Sequence, residues 1–127
     1  RVSQVFLPAM VEQKYGRIIN LGSIAGIAGL PGYIAYSTCK AGVQMMTKVM
    51  AMELGNKGIT VNSISPGLIG DEVKETTGTW LKRTGLGEDV ARAIIYLASD
   101  DASYITGSDM PVDGGRTLGP LNPSYKG

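Results

Sequence analysis

Residues 17–40 read RIINLGSIAGIAGLPGYIAYSTCK. The first seven, Arg17 to Ser23, are mostly apolar, rich in isoleucine and preceded by Gly16, the pattern of a buried strand. The next nine, IAGIAGLPG, hold three glycines and a proline and read as a loop. From Ile34 a helical pattern runs to about Asn56, with Gly42 its one internal glycine before Gly55 and Gly58 stop it. A buried strand that feeds a long helix is half of a βαβ unit. The rest of the chain repeats the alternation. Residues 2–14 read as a helix bent by Pro8, 59–65 (ITVNSIS) as a strand, 87–99 as an amphipathic helix and 107–115 as a last strand. Glu88 and Asp89 stand in the first turn of the 87–99 helix, where the helix dipole favours acids. Residues 66–71 read as a turn. Residues 72–83 are polar without a decisive period, a short helix being one outcome. The end of the chain, from Arg116, reads as extended or loose. Strands alternating with long helices predict an α/β fold with a parallel sheet and right-handed crossovers.

The chain has 127 residues, which suits one compact domain, and 43% of them are hydrophobic, enough for a core. The net charge is +1 with both signs interspersed, which excludes the concentrated basic face of a nucleic-acid binder. No apolar run approaches the ~20 residues of a membrane span. A single cysteine, Cys39, permits no internal disulfide and fits a reducing, cytoplasmic compartment. The N-terminus lacks the features of a signal peptide and starts like the middle of a helix, so the expectation is a chain cut into rather than begun. Histidine is absent, which removes the commonest general base and every Ser-His-Asp mechanism.

Two residues of the long helix carry chemistry. Tyr36 and Lys40 are four apart and project from one helical face. An ammonium beside a phenol favours the phenolate, which makes the tyrosine a proton donor and acceptor. Ser23 ends a predicted parallel strand, at the sheet edge where ligands bind in open α/β folds. A hydroxyl there can hydrogen-bond a substrate oxygen as its charge changes. Together these groups suit proton transfer at an alcohol or carbonyl, with hydride drawn from a bound cofactor.

In the order and near the spacing of GRIINLGSIAG, GYIAYSTCKAGV, GITVNSISPGLI, VARAIIYLASDDASYITG and VDGG, the sequence resembles the short-chain dehydrogenase/reductase family of the Tyr-x-x-x-Lys type. The resemblance covers nearly the whole chain. It implies the C-terminal half of a doubly wound, Rossmann-like parallel sheet, a single partial domain over 1–127 without the N-terminal cofactor-binding half. It implies an NAD(P)-dependent enzyme that interconverts an alcohol and a ketone, 3-oxoacyl thioesters being one substrate class. Ser23 would orient and polarise the substrate oxygen, and Tyr36 would be the general acid or base. Lys40 would support the phenolate and bind the nicotinamide ribose. Pro66, Gly67 and the backbone of Ile69 would border the nicotinamide of NAD or NADP. Tyr33 is a rival to Tyr36, but four places on from it stands Ser37 rather than lysine. In three respects the chain departs from the family pattern. The glycine-rich loop, first βαβ units and helix-borne asparagine have no counterpart, Asp71 stands where many members place a threonine, and the segment from Gly67 to Leu86 is short. The alternative from another class is a non-catalytic module that keeps the fold without the cofactor.

The remaining features have plainer readings. The long helix is apolar around much of its girth, with Cys39, Val43, Met46 and Met50 along one side and Ala41, Met45, Val49 and Met52 widening it. Such a surface needs more than one partner, and in the resembling family it pairs with a second copy. A homodimer or homotetramer is therefore expected, with Met45, Met46, Val49 and Met52 as contacts. Cys39 reads as a small core residue facing away from Tyr36. Gly26, Gly29 and Gly32 read as loop geometry rather than a phosphate cradle. Asp113 reads as a strand-end turn, and Asp71, Glu72 and Glu75 as a solvated face. No metal site, nucleic acid or membrane is expected.

Overall fold

The structure is a computed structural model and describes residues 2–119. Its main sheet has three parallel strands in the order β1 (Gly16–Leu21), β2 (Ile59–Pro66), β5 (Asp109–Val112). Gly16 lies beside Ile59 and Leu21 beside Ile64, while Ser63 lies beside Asp109 and Pro66 beside Val112. As the middle strand, β2 is buried at every residue from Ile59 to Ser65. That position explains its near-continuous run of β-branched and small residues.

Helices cover both faces of this sheet. On one side lie α1 (Val2–Gln13) and α3 (Ile34–Leu54), where Ala51 and Leu54 pack on Ile18, Ile59 and Val61 with support from Leu7, Met10, Val11 and Met50. On the other, α4 (Gly87–Ala98) buries Leu97 against Ile64 and Ala102, with Ile19, Val90, Ala93 and Ile94 around them. The two-residue period of a strand sorts the side chains, so Ile18 faces one helix layer and Ile19 the other.

Several elements differ from the sequence reading. IAGIAGLPG contains a single helical turn, α2 (Ala25–Ala28), closed by Gly26 and Ala28 amides donating to the Ser23 and Ile24 carbonyls. Its driving force is tertiary, since Ile24 and Ala25 are buried while the local sequence is rich in helix-breaking glycine. Within the expected turn at 66–71, Ile69–Gly70 forms β3, which pairs in parallel with β4 (Gly85–Leu86). Residues 72–83 form no helix; Glu75 bridges Arg83 across a turn. Cys39 is exposed rather than in the core. The buried line of α3 runs through Thr47, Ala51 and Leu54, about one residue round from the side expected from the apolar pattern. The backbone of α2 explains this rotation, because it lies directly on α3 at Lys40 and Ala41. The end of the chain from residue 120 lies outside the described residues.

Candidate active site at the strand ends

The carboxyl ends of β1 and β2 meet the first turns of α3, and Gly26 allows it. A Cβ built there would stand 2.6 Å from the Ala41 nitrogen and 2.7 Å from the Lys40 carbonyl carbon. Any larger residue would push the turn after Ser23 off the long helix. With glycine in place, Lys40 Nζ donates to the Leu21 carbonyl over 2.9 Å. One turn earlier on the same face, the Tyr36 ring centroid is 5.7 Å from Lys40 Nζ. Tyr33 packs edge-on against Tyr36, with ring centroids 6.4 Å apart. Tyr36 is 47% exposed, and among the described residues no group hydrogen-bonds its hydroxyl. The hydroxyl is therefore free to meet a ligand.

Ser23 is 8% exposed and firmly held. Its Oγ accepts from the Ala25 amide at 3.2 Å, so the hydroxyl proton is the part left to donate. Backbone bonds on either side fix its peptide: Gly22 N donates to Ile64 O at 2.7 Å and Ile24 N to Pro66 O at 3.2 Å. The second bond places the turn at Pro66 and Gly67 beside the serine. Gly67 N in turn donates to Val112 O at 3.0 Å, and a Cβ on Gly67 would meet Asp113 at 2.6 Å. Asp113 closes the turn after β5 by accepting from Gly115 N, Thr117 N and Thr117 Oγ, each at 2.8 Å. Burial raises the pKa of this carboxyl, but those hydrogen bonds outweigh it and hold Asp113 below the ordinary aspartate value.

Ser23, Tyr36, Lys40, Pro66 and Gly67 thus gather at one sheet edge. Ile69 lies further along, in β3 beside Gly85. It borders a cavity of about 560 Å³ that Trp80, Arg83 and Val112 also line. Asp71, Glu72 and Glu75 are exposed, and no acidic cluster suited to a metal occurs among the described residues.

This arrangement also contains residues that sequence reasoning passed over. Gln44, one turn beyond Lys40, donates to the Ser23 carbonyl at 3.1 Å and to Ser65 Oγ at 2.8 Å. Ser63 Oγ and Ser65 Oγ donate to Asp109 Oδ1 at 2.6 and 2.8 Å. Two signals pointed there: the four-residue spacing of Tyr36, Lys40 and Gln44, and the alternation of Ser63 and Ser65 along a buried strand.

Residues 1–117 match the family model described as enoyl-(acyl carrier protein) reductase. The chain belongs to the short-chain dehydrogenase/reductase family. It is 40% identical to the 3-oxoacyl-[acyl-carrier-protein] reductase FabG of Haemophilus influenzae, over 92% of this chain and 52% of that protein. Among solved structures it is similar to the acetoin dehydrogenase YohF of Salmonella typhimurium, at 34% identity and a TM-score of 0.87, over 97% of this chain and 52% of that one. A 4-hydroxyisoleucine dehydrogenase complexed with NADH and succinate aligns with a TM-score of 0.85 and 36% identity, covering 93% of this chain and 53% of that one. The chain spans about half the length of the curated relatives it matches. These similarities bear out the Rossmann-like α/β class. The family's members act on different substrates, so membership specifies a scaffold rather than one reaction.

Proposed function

We propose that these residues form the proton-transfer half of a nicotinamide-dependent oxidoreductase that interconverts an alcohol and a ketone. The observation that carries this reading is the placement of Tyr36, Lys40 and Ser23. The helix puts the phenol and the ammonium on one face, Lys40 is tied to the Leu21 carbonyl at 2.9 Å, and Ser23 follows two residues beyond the end of that strand. In reduction, the Tyr36 hydroxyl gives its proton to the carbonyl oxygen as negative charge develops there. Ser23 Oγ–H, on a buried residue, donates to the same oxygen and supports that charge. In oxidation the phenolate takes the proton back. Lys40 keeps two N–H donors beyond the one given to Leu21, which suits the hydroxyls of a ribose. The donor set fits the nicotinamide end of NAD or NADP, with Pro66, Gly67 and Ile69 along its edge. When bound, the nicotinamide supplies or accepts hydride at C4.

The domain reading accompanies this. No glycine-rich strand–turn–helix able to cradle a pyrophosphate occurs among the described residues. We therefore assign residues 1–127 to a single partial domain, the catalytic half. The names of the FabG relatives make a 3-oxoacyl thioester the first substrate to try. The exposed apolar row Met45, Met46, Val49 and Met52 on α3, with Val5 and Phe6 on α1, supports assembly with a second copy into a homodimer or homotetramer.

The test is Tyr36→Phe in the full-length gene product, assayed with a 3-oxobutanoyl thioester and each reduced nicotinamide cofactor. Turnover should fall by ~10²–10⁴ while cofactor binding persists. Near-normal turnover would overturn the assignment.

A further inference from the structure

The layer between α3 and the sheet changes character along its length. At the amino ends of the strands Leu54 and Ala51 pack on Ile18, Ile59 and Val61. One turn on, Thr47 Oγ1 accepts from Asn20 Nδ2 at 2.9 Å. Another turn on, Gln44 meets Ser23, Ser65 and Asp109. The same face of β2 thus runs Ile59, Val61, Ser63, Ser65, apolar first and then polar. Ser63 and Ser65 have no exposed surface, so each hydroxyl must find a partner inside.

They do, and the network has one direction. An ionised Asp109 can only accept. Both serine hydroxyls donate to it, at 2.6 and 2.8 Å, which leaves Ser65 Oγ as an acceptor. Gln44 Nε2 fills that role at 2.8 Å with one proton and gives its other to the Ser23 carbonyl at 3.1 Å. The longer approach of Nε2 to Asp109 Oδ2, 3.3 Å, is shared. Asp109 therefore settles which way round the Gln44 amide sits. Gly22 admits the arrangement, since a Cβ there would come within 2.7 Å of Ser65 Oγ.

We propose that Gln44 is a positioning residue for Ser23, oriented through Ser65 by Asp109. Its amide pins the Ser23 carbonyl and so sets the angle at which the serine hydroxyl meets the substrate oxygen. This rests on the proposed role of Ser23. Without the Gln44 donor, the Ser23 carbonyl loses its one side-chain tether while the turn keeps its backbone bonds and the bond from the Ala25 amide to Ser23 Oγ, and a small misplacement of a group that acts in the transition state lowers kcat more than KM.

The experiment is a double-variant cycle in the full-length gene product, with a 3-oxobutanoyl thioester as substrate. Ser23→Ala, Gln44→Leu and their combination are compared for kcat, cofactor KM and melting temperature. Gln44→Leu should lower kcat by about 10- to 100-fold with cofactor KM within twofold. In the Ser23→Ala background it should cost less than about threefold more, because both changes remove one function. Losses that multiply would mean a general packing effect and would overturn the proposal, as would a Gln44→Leu enzyme with normal kcat. If Gln44→Leu does not fold, Ser65→Ala, which deletes only the intermediate hydroxyl, is put through the same cycle with the same criteria. A Ser23→Ala enzyme with unchanged turnover would overturn the role of Ser23 itself, and this inference with it; a damaged Ser23→Ala beside an intact Gln44→Leu would sink this inference alone.

Discussion

Lys40 Nζ and the Leu21 carbonyl oxygen are 2.9 Å apart, so the ammonium of the long helix is anchored to the last residue of the first strand. A lysine stem has four rotatable bonds and does not hold one position unaided. The strand end supplies the constraint, and the Tyr36 ring then lies within 5.7 Å of a fixed charge. Lys40→Met should keep the packing of the stem and lose both the anchor and the charge. Turnover should fall by about 10²-fold or more. A Lys40→Met enzyme with wild-type turnover would show that the ammonium does not act on Tyr36.

Gly26 and Gly42 make a contrasting pair. A side chain at Gly26 would meet the backbone of α3, so Gly26→Ala should lower stability by about 1–3 kcal/mol and reduce turnover with it. Gly42 lies inside the same helix with nothing within 4 Å of its Cβ position, and Gly42→Ala should add about 0.5–1 kcal/mol. Denaturant titration of both variants checks the pair. Equal effects would contradict the close approach at Gly26.

Asp113 makes stability depend on pH. Its folded pKa lies below the unfolded value of about 3.9, so its contribution is complete above that value and is lost as pH falls through the folded one. Asp113→Asn removes this dependence. The stability gap between wild type and Asp113→Asn should be steady near neutrality and narrow in the acid range below about pH 4. A gap that widens on acidification would show the sign to be wrong. Because Asp113 packs against Gly67, the variant should also weaken cofactor affinity.

For assembly, the expectation is that Val49→Asp dissociates the full-length protein while high salt does not, since the contact would be apolar. Sedimentation at micromolar concentration distinguishes the outcomes. A monomeric wild type would end the idea.

The 127-residue polypeptide taken alone should show no dehydrogenase activity and bind NADH weakly at best, because it has no pyrophosphate cradle among its described residues. Micromolar affinity by calorimetric titration would refute this.

The sequence by itself determined the alternation of helices and parallel strands. Period 3.6 in the long helix and β-branched runs in β1 and β2 are local signals that survive without knowledge of neighbours. It also determined the pairing of Tyr36 with Lys40, since four residues on a helix bring two side chains together whatever surrounds them. Only the tertiary structure decided the rest. The turn Ala25–Ala28 forms because Ile24 and Ala25 are buried and the turn packs on α3, a gain that local propensity does not contain. Cys39 faces outward because α2 lies on α3 and sets its rotation, which a helical pattern apolar around most of its girth could not do. Gln44 and Asp109 are 65 residues apart and, read singly, are ordinary polar residues. Parallel pairing places Asp109 beside Ser63, and the helix lays Gln44 over Asp109 and Ser65. A buried hydroxyl must be paired, so the network beneath Ser23 follows from the register of strands that meet only in the folded chain.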